Sequence, residues 1–204
     1  MERITITATM LGIVGLLLPL IIQIVISSCH GEKDDAHCTI CVYAIATGLT
    51  ICITDAVKNY AGYLRPNFYN RCVFNEEIMN CTGSKEMDAR KSFPSGHSSL
   101  TFCSMTILTL YLLRIFGVGD GLFKYHNDVG RRKVNTAKRR LTSMLLCLST
   151  MSLSFFVAGS RVHDNYHHPA DVAGGAVIGC SCAIVVYNTW LVCSTCAMST
   201  IIGS

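Results

Sequence analysis

Charge is what this chain has least of. Only 15% of its 204 residues are Asp, Glu, Lys or Arg, against roughly a quarter in an average soluble domain. The shortfall argues against a charge-covered soluble domain, and leaves buried core helices of a soluble protein as the alternative to membrane spans. No acidic cluster suggests a pair of metal ions, so two-metal phosphoryl chemistry is not expected. The net charge of +4 does not point to nucleic acid either. Arg131-Arg132-Lys133 and Lys138-Arg139-Arg140 flank one loop, and nothing resembles a nucleic-acid-binding module.

What is present is apolar. Uncharged runs cover Ile4–Cys29, Cys38–Thr54, Ser98–Leu113, Leu141–Ser160 and Val172–Ser204. About 20 apolar residues cross a bilayer as a helix, so the runs predict an all-α, polytopic transmembrane helical bundle of about five spans. The basic loop between the third and fourth runs marks the cytoplasmic side. Parity then puts the long loop Lys58–His97 and the short loop Ser160–Asp171 together on the outer side, with the N-terminus outside as well. A signal peptide at Met1–Ser28 would need the reverse orientation.

Twelve Cys are present, most of them inside apolar runs, where Cys acts as a small hydrophobe. Cys29, His30, His37 and Cys38 fit no standard zinc spacing. Cys72 and Cys81 flank a short segment of the outer loop; they are a candidate disulfide in an oxidising compartment, with a free pair as the alternative. Asn80-Cys81-Thr82 is a glycosylation sequon, legible only on the outer side.

Three polar stretches sit at the outer ends of the runs. Ser160-Arg161-Val162-His163-Asp164-Asn165-Tyr166-His167-His168-Pro169-Ala170-Asp171 holds three His, two Asp and one Arg. Ionisable groups beside membrane-length apolar segments are costly and usually functional. A His with a carboxylate four residues on (His167, Asp171) suits a nucleophile or base with an orienting acid. Arg161 offers a planar fork for phosphate. The alternative is a solvated loop with incidental His. Lys58 and Arg65 are seven apart, which at helical period puts two cations on one face; Pro66 ends the helix there. Their alternative is a snorkelling basic collar. In Pro94-Ser95-Gly96-His97, Gly96 permits close backbone approach. Ser95 and the helix start can hold an anion, and His97 can protonate a leaving oxygen. There the alternative is an ordinary helix start capped by Ser95. Jointly the three stretches supply what metal-free phosphoryl transfer needs: cations, an anion-binding helix start, two His and an orienting Asp.

Lys58-(six residues)-Arg65-Pro66, Pro94-Ser95-Gly96-His97 and Ser160-Arg161-(five residues)-His167-(three residues)-Asp171, complete and in this order, resemble the type 2 phosphatidic acid phosphatase (PAP2) superfamily. Ile53-Thr54-Asp55, Cys72, the sequon and His167-His168 are similar to the animal lipid phosphate phosphatases. The resemblance spans about Cys38 to the C-terminus. It implies a single PAP2-type domain over residues 1–204 with a PAP2/haloperoxidase-like core, and a metal-independent, cofactor-free phosphatase. His167 would be the nucleophile, Asp171 its orienting acid and His97 the general acid. Lys58, Arg65, Ser95, Gly96 and Arg161 would hold phosphate. Implied substrates are phosphatidate, lysophosphatidate, sphingosine 1-phosphate and ceramide 1-phosphate, cleaved on the outer or lumenal face. The alternatives are a lumenal phosphatase for a polyprenyl diphosphate or sugar phosphate, or a non-catalytic phospholipid-binding membrane protein. The implied setting is the plasma membrane first and the endoplasmic reticulum or Golgi second, with assembly into a homo-oligomer left open. The family has six spans and five are read here, so the one missing would be the first. His163 and His168 match no catalytic position.

Overall fold

The computed structural model describes residues 5–29, 33–75, 77, 79–84, 86–115, 141, 144–145 and 148–202. The described elements are helices α1 (Ala8–Cys29), α2 (Lys33–Ala61), α3 (Phe68–Cys72), α4 (Glu86–Ala89), α5 (Gly96–Ile115), α6 (Met151–His163) and α7 (Pro169–Ile202). A short antiparallel ladder pairs β1 (Phe74–Asn75) with β2 (Asn80–Cys81). The architecture is the expected all-α transmembrane bundle. Four helices among the described residues are long and apolar enough to cross a membrane: Ala8–Cys29, His37–Ala61, Gly96–Ile115 and Pro169–Trp190. The fourth apolar run appears as α6; residues 142–143 and 146–147 and the basic loop Arg131–Arg140 lie outside the described residues.

Apolar runs become helices in lipid because each backbone N–H and C=O must find its partner within the segment. The helix ends follow local chemistry more than hydropathy. α2 runs past the apolar stretch to Ala61 and stops where Gly62 turns left-handed, with φ of 56°, a conformation that costs Gly little. α6 continues through Arg161 to His163. A cation in a last turn and an acid in a first turn complement the helix dipoles, as Arg161 does on α6 and Asp171 does on α7. The expected outer loop Ser160–Asp171 therefore shrinks to the turn 164–168.

α5 is the hub, packed on α7, α6, α2 and α1. Its core face, Cys103, Ile107 and Tyr111, meets Val42, Tyr43 and Ala46 of α2 and Ala183 and Tyr187 of α7. Hydroxyls fix its rotation. Thr54 Oγ1 on α2 donates to Ser99 Oγ (3.0 Å), and Ser154 Oγ on α6 donates to the Thr101 carbonyl (3.0 Å). Within α1 the stretch Leu11–Leu17 is π-helical. Its wider turn leaves carbonyls available, and two side chains take them: Ser104 Oγ reaches Gly15 O at 2.5 Å and Tyr43 Oη reaches Leu16 O at 2.7 Å.

The α5–α7 contact is a backbone-to-backbone approach. A Cβ on Gly175 would lie 2.5 Å from the Ser95 carbonyl oxygen, and one on Gly179 would run into the Ser99 carbonyl. Small residues are what let membrane helices come this close. Gly179→Ala is therefore expected to destabilise the bundle by about 1–3 kcal/mol, the usual range for overpacking. Gly48→Ala meets nothing within 4 Å and should be neutral or slightly stabilising. Thermal unfolding of the two variants in detergent checks the contrast; equal melting points would sink it.

Candidate active site

Four helix ends converge at one side of the bundle: the C-terminus of α2, the N-terminus of α5, the C-terminus of α6 and the N-terminus of α7. They enclose a cavity of about 390 Å³ lined by Lys58, Arg65, Gly96, His97, Arg161 and His167. The three sequence-predicted stretches therefore meet in space.

Lys58 and Arg65 reach the cavity by a different route from the one their spacing suggests. They do not share a helix face, because α2 ends at Ala61 and Arg65 lies beyond the Gly62 turn. Lys58 Nζ packs over Gly96, 3.4 Å from where a Cβ would stand. Arg65 is 9% exposed and heavily held. Its backbone N–H bonds to Ala89 O at 2.9 Å, its Nε to Asp88 O at 3.0 Å, and its guanidinium pairs with Asp88 Oδ1 at 3.1 Å.

At the start of α5, Ser95 is fully buried and its Oγ has no hydrogen-bond partner among the described residues. The hydroxyl therefore does not cap its own helix. His97 Nε2 is likewise buried and unpartnered there. The first N–H groups of α5 have no intrahelical acceptor, as at any helix start. Buried polar groups normally find partners, so this cluster of open donors suits a bound oxyanion.

His167 is 4% exposed and Asp171 is fully buried. His167 Nδ1 stands 3.5 Å from Asp171 Oδ2. That oxygen also accepts from Ser92 Oγ at 2.5 Å and from the His168 N–H at 2.8 Å. Ser92 Oγ is itself 3.4 Å from His167 Nδ1. With Nδ1 turned to this cluster, Nε2 is left for the cavity. The turn that presents the ring wraps on the Arg161 carbonyl, which accepts from the N–H groups of Tyr166 and His167, with Asn165 left-handed at φ 58°. Burial pushes the His167 pKa down to about 3, and the nearby Arg65 and Lys58 charges add to the effect. A neutral ring keeps its lone pair for attack.

Arg161 is 2% exposed and pairs with Asp164 Oδ2 at 3.1 Å. Asp164 also accepts from the Thr5 N–H (2.8 Å) and hydroxyl (2.7 Å). His163 is exposed, and His168 Nε2 lies 3.2 Å from Leu64 O and edge-on to Tyr63. Neither lines the cavity. Cys72 and Cys81 form a disulfide that anchors the loop between α2 and α5, and Asn80 beside it is exposed.

Several residues at the site carry no sequence signal. Arg71, Asp88, Tyr166 and the strip Ile6-Thr7-Ala8 line the cavity by tertiary contact, and Ser92 stands behind His167 on Asp171.

Fold and site define a class: a transmembrane helical bundle with a cationic, histidine-bearing oxyanion cavity at one end of its helices. Residues 39–193 match the family model described as the PAP2 superfamily, and the chain belongs to that superfamily. It is 30% identical over 185 residues to "Lipid phosphate phosphatase 2" of Arabidopsis thaliana, covering 86% of this chain and 58% of that protein. It is 31% identical over 183 residues to "Lipid phosphate phosphatase 1" of the same plant (85% and 51%). An animal relative, "Putative phosphatidate phosphatase" of Drosophila melanogaster, is 28% identical over 232 residues (90% and 56%). The chain thus spans a little over half the length of these relatives. No solved structure matches.

Proposed function

We propose that this chain is a metal-independent lipid phosphate phosphatase that works through a phosphohistidine. The observation that carries the reading is the convergence of Lys58, Arg65, Gly96, His97, Arg161 and His167 on one cavity, with Ser95 Oγ, beside Gly96, and His97 Nε2 lacking partners among the described residues. The cations and the α5 start hold the phosphoryl oxygens. His167 Nε2 attacks phosphorus while Asp171 holds Nδ1–H and steadies the cation that forms. His97 protonates the departing alkoxide. Water then takes the phosphoryl group from His167, with His97 as base.

A lipid substrate is favoured by a second cavity. About 200 Å³ in volume, it is lined by Met10, Leu11, Val14, Leu153, Phe156 and Val157 and shares the lining residue Ile6 with the polar cavity. A phosphate ester with an acyl chain matches a polar cavity with an apolar neighbour; a soluble sugar phosphate would leave the apolar one unused. The substrate class is accordingly phosphatidate, lysophosphatidate and related sphingolipid phosphates.

The test is phosphate release from micellar phosphatidate by purified protein in EDTA. Vanadate-sensitive release is the expected result. No release with or without Mg²⁺, from protein that still binds vanadate, would refute the hydrolase reading in favour of a non-catalytic lipid-binding protein.

A further inference from the structure

Arg161 commits most of its guanidinium to the protein. Nε donates to Ser160 Oγ at 3.3 Å and Nη2 to Asp164 Oδ2 at 3.1 Å, which leaves Nη1 for an oxyanion in the cavity. A carboxylate beside a phosphate-binding arginine competes with phosphate for the same charge, so its presence needs a reason. The Asp164 side chain is 0% exposed, and the group that fixes it lies 159 residues away. Thr5 donates its backbone N–H to Asp164 Oδ2 (2.8 Å) and its hydroxyl to Asp164 Oδ1 (2.7 Å). His163 Nδ1 stands 3.4 Å from Oδ1. Both carboxylate oxygens are therefore engaged, and the guanidinium is held in one orientation.

Thr5 is placed by the start of α1. Thr7 Oγ1 accepts from the Met10 N–H at 3.2 Å, and Thr7 O accepts from the Leu11 N–H at 3.0 Å. The helix start thus sets where the residues just ahead of it lie. α1 is in turn fastened to α5 and α2 through its π-helical carbonyls. The same strip belongs to the site: Ile6, Thr7 and Ala8 line the polar cavity, and Thr5 and Ile6 line the apolar one. Thr5 itself is exposed and adds little to the core. What it contributes is two hydrogen bonds to a buried carboxylate, a charge-assisted kind roughly twice as strong as a neutral one.

We propose that Thr5 is a positioning residue for phosphate: it pins Asp164, and Asp164 aims Arg161 Nη1 at the oxyanion. This deepens the phosphatase reading above and rests on it for the identity of the ligand. An arginine's planar fork binds a phosphoryl group only along fixed directions, and a misplaced donor loses much of its effect on the transition state. With Thr5 bonded to both oxygens, the carboxylate grips the guanidinium from behind and does not draw it out of the cavity. Without the hydroxyl, Oδ1 keeps only the exposed His163, Asp164 is free to rotate, and Arg161 follows it. No bond forms or breaks at Thr5; its effect passes through Asp164 and Arg161.

The test uses the full chain in detergent, as wild type, Thr5→Val, Thr5→Ser, Arg161→Gln and Asp164→Asn, with Thr5→Val also combined with each of the last two. Valine keeps the shape and the backbone donor and removes only the hydroxyl. Orthovanadate affinity is read by calorimetry, kcat/KM by phosphate release from phosphatidate, and folding by thermal melting. Thr5→Val is expected to weaken vanadate binding and lower kcat/KM about tenfold, the scale of one charged hydrogen bond, with the melting point unchanged. Thr5→Ser should stay within about threefold of wild type in both. Added to Arg161→Gln or to Asp164→Asn, Thr5→Val should cost less than about twofold more, because a pin with nothing to position has no effect. The full tenfold loss in both combinations would overturn the proposal, as would no loss in Thr5→Val alone. A loss that Thr5→Ser fails to restore would overturn it too, since packing and not the hydroxyl would then matter. If phosphatidate is not hydrolysed but vanadate affinity depends on Thr5 only while Arg161 is present, the positioning role stands and the hydrolase reading falls. Hydrolysis without any dependence on Thr5 keeps the hydrolase reading and removes the positioning role.

Discussion

His167→Ala is expected to lower phosphatidate turnover by on the order of 10⁴-fold or more, the scale seen when a covalent nucleophile is removed. Its Nδ1 is turned toward Asp171 and Ser92, which leaves Nε2 as the nitrogen that can attack. Rapid quenching of the wild type with radiolabelled phosphatidate should trap an acid-labile, alkali-stable phosphoprotein, absent from the variant. Near-normal turnover, or a phosphoprotein that persists in His167→Ala, would refute the assignment. Asp171→Asn should cost less, because the nucleophile survives and only its orientation suffers. Asp171 Oδ2 also receives Ser92 Oγ and the His168 N–H, so an amide there would disturb three partners at once.

His167 also links stability to pH. Its pKa falls to about 3 in the fold, against about 6.5 in an unfolded chain. Between those values the unfolded state binds more protons, so stability rises with pH through the window and is fully present above it. Acidification from neutrality should therefore destabilise the wild type. In His167→Ala that component should vanish, and melting curves at pH 7 and pH 4.5 in detergent would show a smaller difference than in the wild type.

Much of the candidate site was legible because its motifs are local. His167 and Asp171 are four apart, and Ser95, Gly96 and His97 are contiguous, so each group already carries its geometry in its spacing. Lys58 and Arg65 show the limit of that logic. Their spacing of seven suggested one helical face, yet Gly62 breaks the helix between them, and tertiary contacts with Asp88 and Ala89 bring Arg65 back. Hydropathy likewise ended the fourth run near Ser160, where charge begins. Helical geometry continued to His163, since a buried arginine beside Asp164 is tolerated in a last turn. Ser92, Arg71 and Asp88 were illegible for a simpler reason. Ser92 sits 79 residues from the carboxylate it bonds, and no periodicity encodes a contact of that range. The bundle itself was legible because lipid leaves the backbone few alternatives to a helix.

His97→Ala should separate the two halves of the reaction. In the proposed mechanism His97 is the general acid, and a general acid matters in proportion to how badly the leaving oxygen needs a proton. Its buried Nε2, without a partner among the described residues, is placed to give one. For phosphatidate the leaving group is a strongly basic alkoxide, and the expected loss in kcat/KM is roughly 10²- to 10⁴-fold. For p-nitrophenyl phosphate the leaving phenolate is stable without a proton, so kcat/KM should fall far less. The choice of parameter decides the outcome. kcat/KM reports only the steps through phosphoryl transfer to His167, whereas kcat also includes hydrolysis of the phosphohistidine. If His97 then serves as base for water, kcat should stay low for both esters. The p-nitrophenyl reaction should show a burst of phenolate equal to the enzyme present, followed by slow turnover. Equal losses in kcat/KM on the two esters would show that His97 binds phosphate and moves no proton. A rescued kcat/KM together with a burst would assign it both proton transfers, one to the departing alcohol and one from the entering water.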